Sequence, residues 1–292
     1  MEIRPARTDE LDVIASLAAA MQSRPDRQLT YLSVEAAAIA EELDELGDWT
    51  ATSAIAEIDG EVVGWLIGET DDEVGRVWWL GPAIVDGHDW PTTATALYEA
   101  AAARLPDGIG EEEFAVPETF VDLIGWSAEL GFTADPGSLG LDLRDDPITG
   151  HVRDDLTIRP VGPTDLGTID VLHDRLFPDT HRTGRQIVEE SEARYRRLVA
   201  ELDGTVLGYV AAEIQADGSG YIDYLGVEPD HQRGGVGTAL VAAAATALRA
   251  AGAGTLHLTV REANTVARGL YGRLGFVEDV VLVPLRKGFT LP

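Results

Sequence analysis

Cysteine is absent from this 292-residue chain, which excludes disulfides, thiolate metal sites and a cysteine nucleophile. Cations are scarce: 22 Lys and Arg stand against 51 Asp and Glu, a formal net charge of -29, and Lys287 is the single lysine. A field of that sign repels nucleic-acid phosphates and acidic membranes while drawing cationic amines toward an open cleft. No nucleic-acid or membrane partner is therefore expected, and much of the charge serves solubility or tolerance of high salt. Long apolar runs are missing too. The opening MEIRPARTDE holds no apolar signal core, and the longest alanine-rich run is too short to cross a bilayer, so a cytoplasmic location is expected. His173, His181, His231 and His257 show no ligand spacing, and no metal is expected.

What the sequence does contain centres on YIDYLGVEPDHQRGGVGTAL, residues 221–240. Tyr221 to Val227 is short, rich in aromatic and β-branched residues and free of proline, and it reads as a strand ending at Glu228-Pro229. Gln232, Arg233, Gly234, Gly235, Val236 and Gly237 then lead into Thr238 and an alanine-leucine helix reaching Ala251. Strand, glycine turn and helix start together make an anion site. Small residues let backbone N–H groups converge, and the helix N-terminus adds roughly half a positive charge. The spacing is neither GxxxxGK[ST] nor GxGxxG, since Ala239 and Leu240 supply no third glycine.

A second stretch, NTVARGLYGRLGF, reads as a helix from Asn264 to an αL cap at Gly275. Gln-x-x-Gly-x-Gly at 232–237 and Asn-x-x-Ala-x-x-Leu-Tyr-x-x-x-Gly-Phe at 264–276, separated by one helix and the strand Thr255–Val260, stand in a set order. Together they resemble the acetyl-CoA-binding core of the Gcn5-related N-acetyltransferase (GNAT) family.

The chain is long enough for two domains, each with its own core, and it repeats itself. Ile3-Arg4-Pro5 with Thr8-Asp9-Glu10 ahead of Leu11, Ile14 and Leu17 reads as a strand and a capped helix. Thr157-Ile158-Arg159-Pro160 with Thr164-Asp165 repeats the phrase. Glu57-Ile58-Asp59-Gly60 and Leu130-Gly131-Phe132 recur 144 residues later as Glu201-Leu202-Asp203-Gly204 and Leu274-Gly275-Phe276. Trp79-Leu80-Gly81 answers Tyr224-Leu225-Gly226 one residue further along. Both copies place an Asp-Gly hairpin turn between apolar runs. The expected architecture is two tandem α/β (α+β) domains, each a mixed, mostly antiparallel sheet flanked by helices, over residues 1–146 and 156–292. The joint is the polar stretch from Arg144 to Asp155.

The first copy lacks the chemistry. Val85-Asp86-Gly87-His88-Asp89-Trp90-Pro91 replaces the glycine turn, and at the 144-residue offset Phe120 and Ser127 stand for Asn264 and Tyr271. Residues 1–146 are thus expected to form a degenerate copy that packs against the active one or shapes its acceptor cleft. His88 reads as a turn residue, and at least one of Trp78 and Trp79 reads as core.

The resemblance implies roles for the second copy. Amides from Arg233 to Thr238 bind the cofactor diphosphate. Leu225, Gly226 and Val227 splay open to pair with its pantetheine, the Val227 amide being the oxyanion donor, a contribution of roughly 3 kcal/mol. Asn264 bonds the cofactor arm and Tyr271 protonates the departing thiolate. Asp223, placed by alternation on one face with Tyr221 and Leu225, is the expected base, with Glu228 as the other nearby carboxylate. Leu172 to Arg197 covers the segment where the family builds its acceptor site. Arg182, Arg185, Arg194, Arg196 and Arg197 there read either as a solvated helix face paired with Glu189, Glu190 and Glu192, or as holders of a carboxylate or cofactor phosphate. The expected activity is acetyl transfer from acetyl-CoA to a primary amine of a small molecule, peptide or protein, by direct attack in a ternary complex. Alternatives are a tandem acetyltransferase of the mycothiol synthase type and a non-catalytic acyl-CoA-binding module. A monomer is expected, because a tandem chain holds internally the contact that single-domain relatives make as dimers.

Overall fold

Each half opens its sheet with the same hairpin. Asp59 and Gly60 take φ of 53° and 85°, and Asp203 and Gly204 take 50° and 79°, the doubly left-handed turn that Asp-Gly favours. The computed structural model describes residues 1–144, 148, 153–178, 180, 182–189 and 194–288. Most of the expected joint lies outside the described residues, as do His181, Glu190 and Glu192.

Along the chain the elements are β1 (Glu2–Arg4), α1 (Leu11–Gln22), α2 (Ala36–Glu45), β2 (Ser53–Ile58), β3 (Glu61–Asp71), β4 (Arg76–Ile84), α3 (Trp90–Ala102), β5 (Glu111–Pro117), α4 (Val121–Glu129), β6 (Thr133–Ala134) and β7 (Ser138–Arg144). The second half continues with β8 (Thr157–Pro160), α5 (Leu166–Leu176), α6 (Gly184–Glu189), β9 (Tyr195–Leu202), β10 (Thr205–Ile214), β11 (Gly220–Val227), α7 (Val236–Ala250), β12 (Thr255–Arg261), α8 (Thr265–Leu274) and β13 (Val277–Lys287).

These elements form two compact units, one of Met1–Gly137 with Val281–Pro292 and one of Ser138–Val280. The first sheet runs β1-β2-β3-β4-β5-β13, with β6 also on β13, and only β4 and β5 are parallel. The second runs β7-β12-β11-β10-β9-β8, with β11 and β12 its parallel pair. Both are the mixed, mostly antiparallel sheets that the sequence implies.

The partition differs from a cut at 146/156, because each half sends a strand into the other half's sheet. Leu139, Leu141 and Leu143 of β7 alternate onto one buried face, in register with Val260, Leu258 and Leu256 of β12. In the first unit, Val283 and Leu285 of β13 face Val116 and Phe114 of β5. Lys287 ends that strand with Nζ 3.1 Å from Glu112 and 2.5 Å from the Tyr98 hydroxyl. The first core is aromatic, built from Trp79, Trp90, Tyr98, Phe114, Phe120, Trp126 and Phe132. Trp79 is its buried member of the tryptophan pair.

Both units tie the first strand down in the same way. Arg4 bridges Glu10 and Glu57, and Arg159 bridges Asp165 and Glu201. The repeated phrase at residues 3–10 and 157–165 therefore encodes an ion-paired strand-to-helix corner.

Candidate active site

The site begins with one surplus residue in β11. Ala211 pairs with Tyr224 and the next residue, Ala212, pairs with Ile222, so Asp223 is a β-bulge. The parallel ladder to β12 is registered from Gly220↔Leu256 to Ile222↔Leu258. Beyond it β11 continues to Val227 and β12 to Arg261, leaving a wedge between them. The Glu228 N–H bonds back to Leu207 of β10 at 2.9 Å. By strand alternation the N–H groups of Val227 and Leu225 point the other way, into the wedge.

The bulge also corrects the expected face assignment. A Cβ on Gly220 would meet Leu248 of α7, and one on Gly237 of α7 would meet Leu225 and Val227. Gly220 and Leu225 therefore share the α7 face although an odd number of positions separates them. Tyr221 lies on the opposite face from Leu225. Asp223 is on that opposite side too, with Arg182 Nε 3.7 Å away.

The glycine turn follows the wedge. After a 3-10 turn over Pro229–His231, Gln232 donates from Nε2 to the Val227 carbonyl at 3.1 Å and fastens the loop to the strand end. Arg233 and Gly235 are left-handed, with φ of 59° and 84°. Such reversals turn successive amides toward one side. The first bond of α7 runs from Ala239 N–H to Gly235 at 3.0 Å. Among the described residues, the amides of Arg233, Gly234, Gly235, Val236, Gly237 and Thr238 meet no protein acceptor, as the start of a helix requires. Gly237 leaves open the space beside Leu225, Val227 and Leu270 of α8, since its Cβ would lie 3.3 Å from Leu270. One cation was not anticipated here. Arg153 donates from Nη1 to the Gly234 carbonyl at 3.0 Å, its stem lies 3.3 Å from where a Gly235 Cβ would stand, and its fork is held by Asp155.

Helix α8 carries the second motif. Asn264 is its N-cap, Oδ1 accepting from the Ala267 N–H at 3.1 Å, so part of its amide is committed to the helix. Gly275, with φ of 99°, closes the other end. Tyr271 is 7% exposed and packs edge-on against Phe276. Burial pushes its phenol up to about 12.

On the opposite face the tyrosines Tyr209, Tyr221 and Tyr224 surround Asp223. Burial, and then the Asp223 charge, raises all three phenols above the ordinary tyrosine range. Tyr221 donates to Thr259 Oγ1 of β12 at 3.2 Å, and Tyr224 and Thr180 share a 2.6 Å bond. Glu228 is bound by Arg175 of α5 at 2.5 Å. Among the described residues of the expected arginine face, Arg185 and Glu189 pair at helical spacing. Arg196 and Arg197 lie on β9, and Arg194 pairs with Glu213 of β10.

In the first unit the corresponding helix start carries carboxylates. Asp89 stands at the N-cap position of α3 and its carboxylate accepts from the Thr92 hydroxyl, while Arg24 grips Asp86. Carboxylates at that helix start disfavour an external phosphate. Phe120 and Ser127 are buried, the Ser127 hydroxyl bonding back to Ile124.

Residues 168–276 match the sequence profile of the acetyltransferase (GNAT) family. The second half of the chain carries a GNAT domain. Mycothiol acetyltransferase of Thermobispora bispora is 32% identical over 130 residues, 40% of this chain and 44% of that protein. Its counterpart in Saccharopolyspora erythraea is 38% identical over 79 residues, 27% of this chain and 26% of that protein. An acetyltransferase of Yersinia pestis is 36% identical over 91 residues, 30% and 63% of the two chains. The chain thus spans less than half of the two mycothiol acetyltransferases it matches. A Gcn5-related N-acetyltransferase of Sphaerobacter thermophilus has the same fold, with a TM-score of 0.78 over 98% of this chain and 95% of that one at 17% identity. A tandem GNAT protein from the clavulanic acid biosynthesis pathway also shares it, with a TM-score of 0.69 over 100% and 99% at 16% identity. Among the described residues no helix is long and apolar enough to cross a membrane.

Proposed function

We propose that the chain is a cytoplasmic, acetyl-CoA-dependent N-acetyltransferase whose chemistry lies in the Ser138–Val280 unit. The observation that carries this reading is the wedge between β11 and β12 opening directly onto the glycine turn. Six amides from Arg233 to Thr238 suit a diphosphate, with Arg153 adding a cation beside them. The Gly237 gap and the outward N–H groups of Leu225 and Val227 suit an extended amide-bearing arm, and Asn264 retains its amide donors for the same arm. Acetyl-CoA, when bound, supplies the activated acetyl thioester.

The residues then divide the work. Val227 N–H stabilises negative charge developing on the acyl oxygen, an effect of roughly 3 kcal/mol. Asp223 takes the proton that the acceptor ammonium must lose, directly or through water, as nitrogen bonds to the acyl carbon. Tyr271 delivers its hydroxyl proton to the sulfur as the carbon–sulfur bond breaks, and regains one from solvent. A phenol at about 12 holds its proton throughout the neutral range, as an acid must. Glu228, committed to Arg175, serves the strand end rather than the reaction.

The test is calorimetric titration with CoA and acetyl-CoA, followed by thiol release across a panel of amines. Binding with turnover supports the enzyme, and binding without turnover on any amine supports a binding module instead. The two mycothiol acetyltransferase relatives favour a narrower second reading, acetyl transfer in mycothiol formation.

A further inference from the structure

We propose that Arg153 and Asp155 form a strut that holds the glycine turn in its anion-binding form, so that an acidic side chain strengthens the grip on an anionic cofactor. This inference rests on the acetyl-CoA reading and adds two positioning residues to it, both outside the motifs at 232–237 and 264–276. Arg153 lies along the turn. Its Nη1 donates to the Gly234 carbonyl at 3.0 Å and stands 3.5 Å from where a Cβ on Gly234 would be. Its Cγ and Cδ lie 3.3 Å from the corresponding point on Gly235. Gly235 serves a φ of 84°, but Gly234 is not left-handed, and its bare face seats the guanidinium. Asp155 fixes the other side of the fork, its carboxylate accepting from Nε at 2.8 Å and from Nη2 at 2.5 Å. Such a two-point grip sets the plane of a guanidinium, which an ammonium cannot reproduce. The bond from Arg153 holds the Asp155 carboxyl below the ordinary carboxylate range, so both groups are charged at neutral pH.

What the strut controls is one peptide unit. The Gly234–Gly235 bond is trans, and in a planar trans peptide the carbonyl and the following N–H point in opposite directions. Anchoring the Gly234 carbonyl on Arg153 therefore aims the Gly235 N–H away from the guanidinium, to the side that the strut leaves open. A peptide between two glycines, with left-handed residues at 233 and 235, is the one in this turn most free to flip over. Flipped, it would present a carbonyl where an anion needs a donor. The strut settles that choice before the cofactor arrives, which lowers the ordering cost of binding. An ion pair with side-chain exposures of 28% and 56% adds little to stability. Its consequence lies in the turn it braces.

The experiment titrates the full chain with CoA by calorimetry. By charge alone, Asp155→Asn removes an anion from beside the turn and would tighten CoA binding. The strut gives the opposite sign, and affinity is expected to fall about fivefold. Arg153→Lys keeps the cation and loses the fork, and it is expected to weaken binding roughly tenfold, as Arg153→Ala does. With an amine that supports turnover, the KM for acetyl-CoA rises by the same factors while kcat stays within about twofold of wild type. Melting temperatures stay at the wild-type value and report that the fold is retained. Asp155→Asn binding CoA as tightly as wild type or more tightly, wild-type affinity in Arg153→Lys, or a fall in kcat with KM unchanged overturns the proposal alone. Failure of the wild-type chain to bind CoA overturns the acetyl-CoA reading, and the proposal falls with it.

Discussion

Nδ1 of His257 lies 2.6 Å from Oδ1 of Asp142, although 115 positions separate them in the chain. The pair joins β12 to β7, the strand that the first half contributes to the second sheet. Its hydrogen bond is the main reason the imidazole is raised above its ordinary 6.5.

That relationship makes stability depend on pH with a definite sign. A histidine whose folded pKa is raised contributes stability that is fully present below about 6.5 and is lost as pH rises through the folded value. Asp142→Asn is expected to lower stability by about 1 kcal/mol in mildly acidic buffer, a modest figure because the ring is 35% exposed and screened. The difference from wild type should vanish at alkaline pH. Thermal melts across pH and the NMR titration of His257, whose midpoint should fall toward 6.5 in the variant, check this.

Tyr271→Phe keeps the ring that packs on Phe276 and removes only the hydroxyl, the group to which the proposed reaction gives the proton transfer. Turnover is expected to drop about 100-fold, while calorimetric affinity for CoA stays within about twofold. An equal fall in both would assign the residue to packing.

The glycine turn predicts the opposite split. Gly237→Val fills the gap among Leu225, Val227 and Leu270, and CoA affinity is expected to fall at least about tenfold, or 1.4 kcal/mol. Arg153→Ala is expected to cost about as much if its cation meets a phosphate, with the loss shrinking as salt is added. Calorimetry at two ionic strengths measures both.

The exchanged strands predict which fragment folds. Residues 138–280 form one contiguous unit, and a protein of that span is expected to unfold cooperatively and bind CoA. A fragment of 156–292 lacks β7, leaves the edge of β12 unpaired and is expected to aggregate. Size-exclusion chromatography and melting curves distinguish the two.

Much of this was legible in the sequence because it is local. Asp-Gly turns fix hairpins, glycines and a helix start mark the amide cluster at 233–238, and Asn264 and Gly275 bound α8 through cap chemistry. The unread features are those set by distant partners. The leucines of β7 alternate in a pattern that any sheet edge accepts, so nothing near them says which sheet they join. The bulge at Asp223 has no compositional mark, and alternation therefore assigned Tyr221 and Leu225 to one face. The strand registers also replace the echo between Trp79-Leu80-Gly81 and Tyr224-Leu225-Gly226. In the strand registers Glu69 faces Trp78 where Glu213 faces Tyr221, so Trp78 is the counterpart of Tyr221. Arg153 fell in a stretch that reads as featureless, and Arg196 and Arg197 followed a helical pattern that ends at Glu189.

A strand without interruption presents every second side chain to the same compartment. By inserting one residue at position 223, β11 hands its acid to one compartment and its next aliphatic side chain to the other. In the reaction proposed above, two reactants arriving from opposite sides meet across a single backbone, and a deletion of that one residue would turn each of these side chains toward the wrong neighbour.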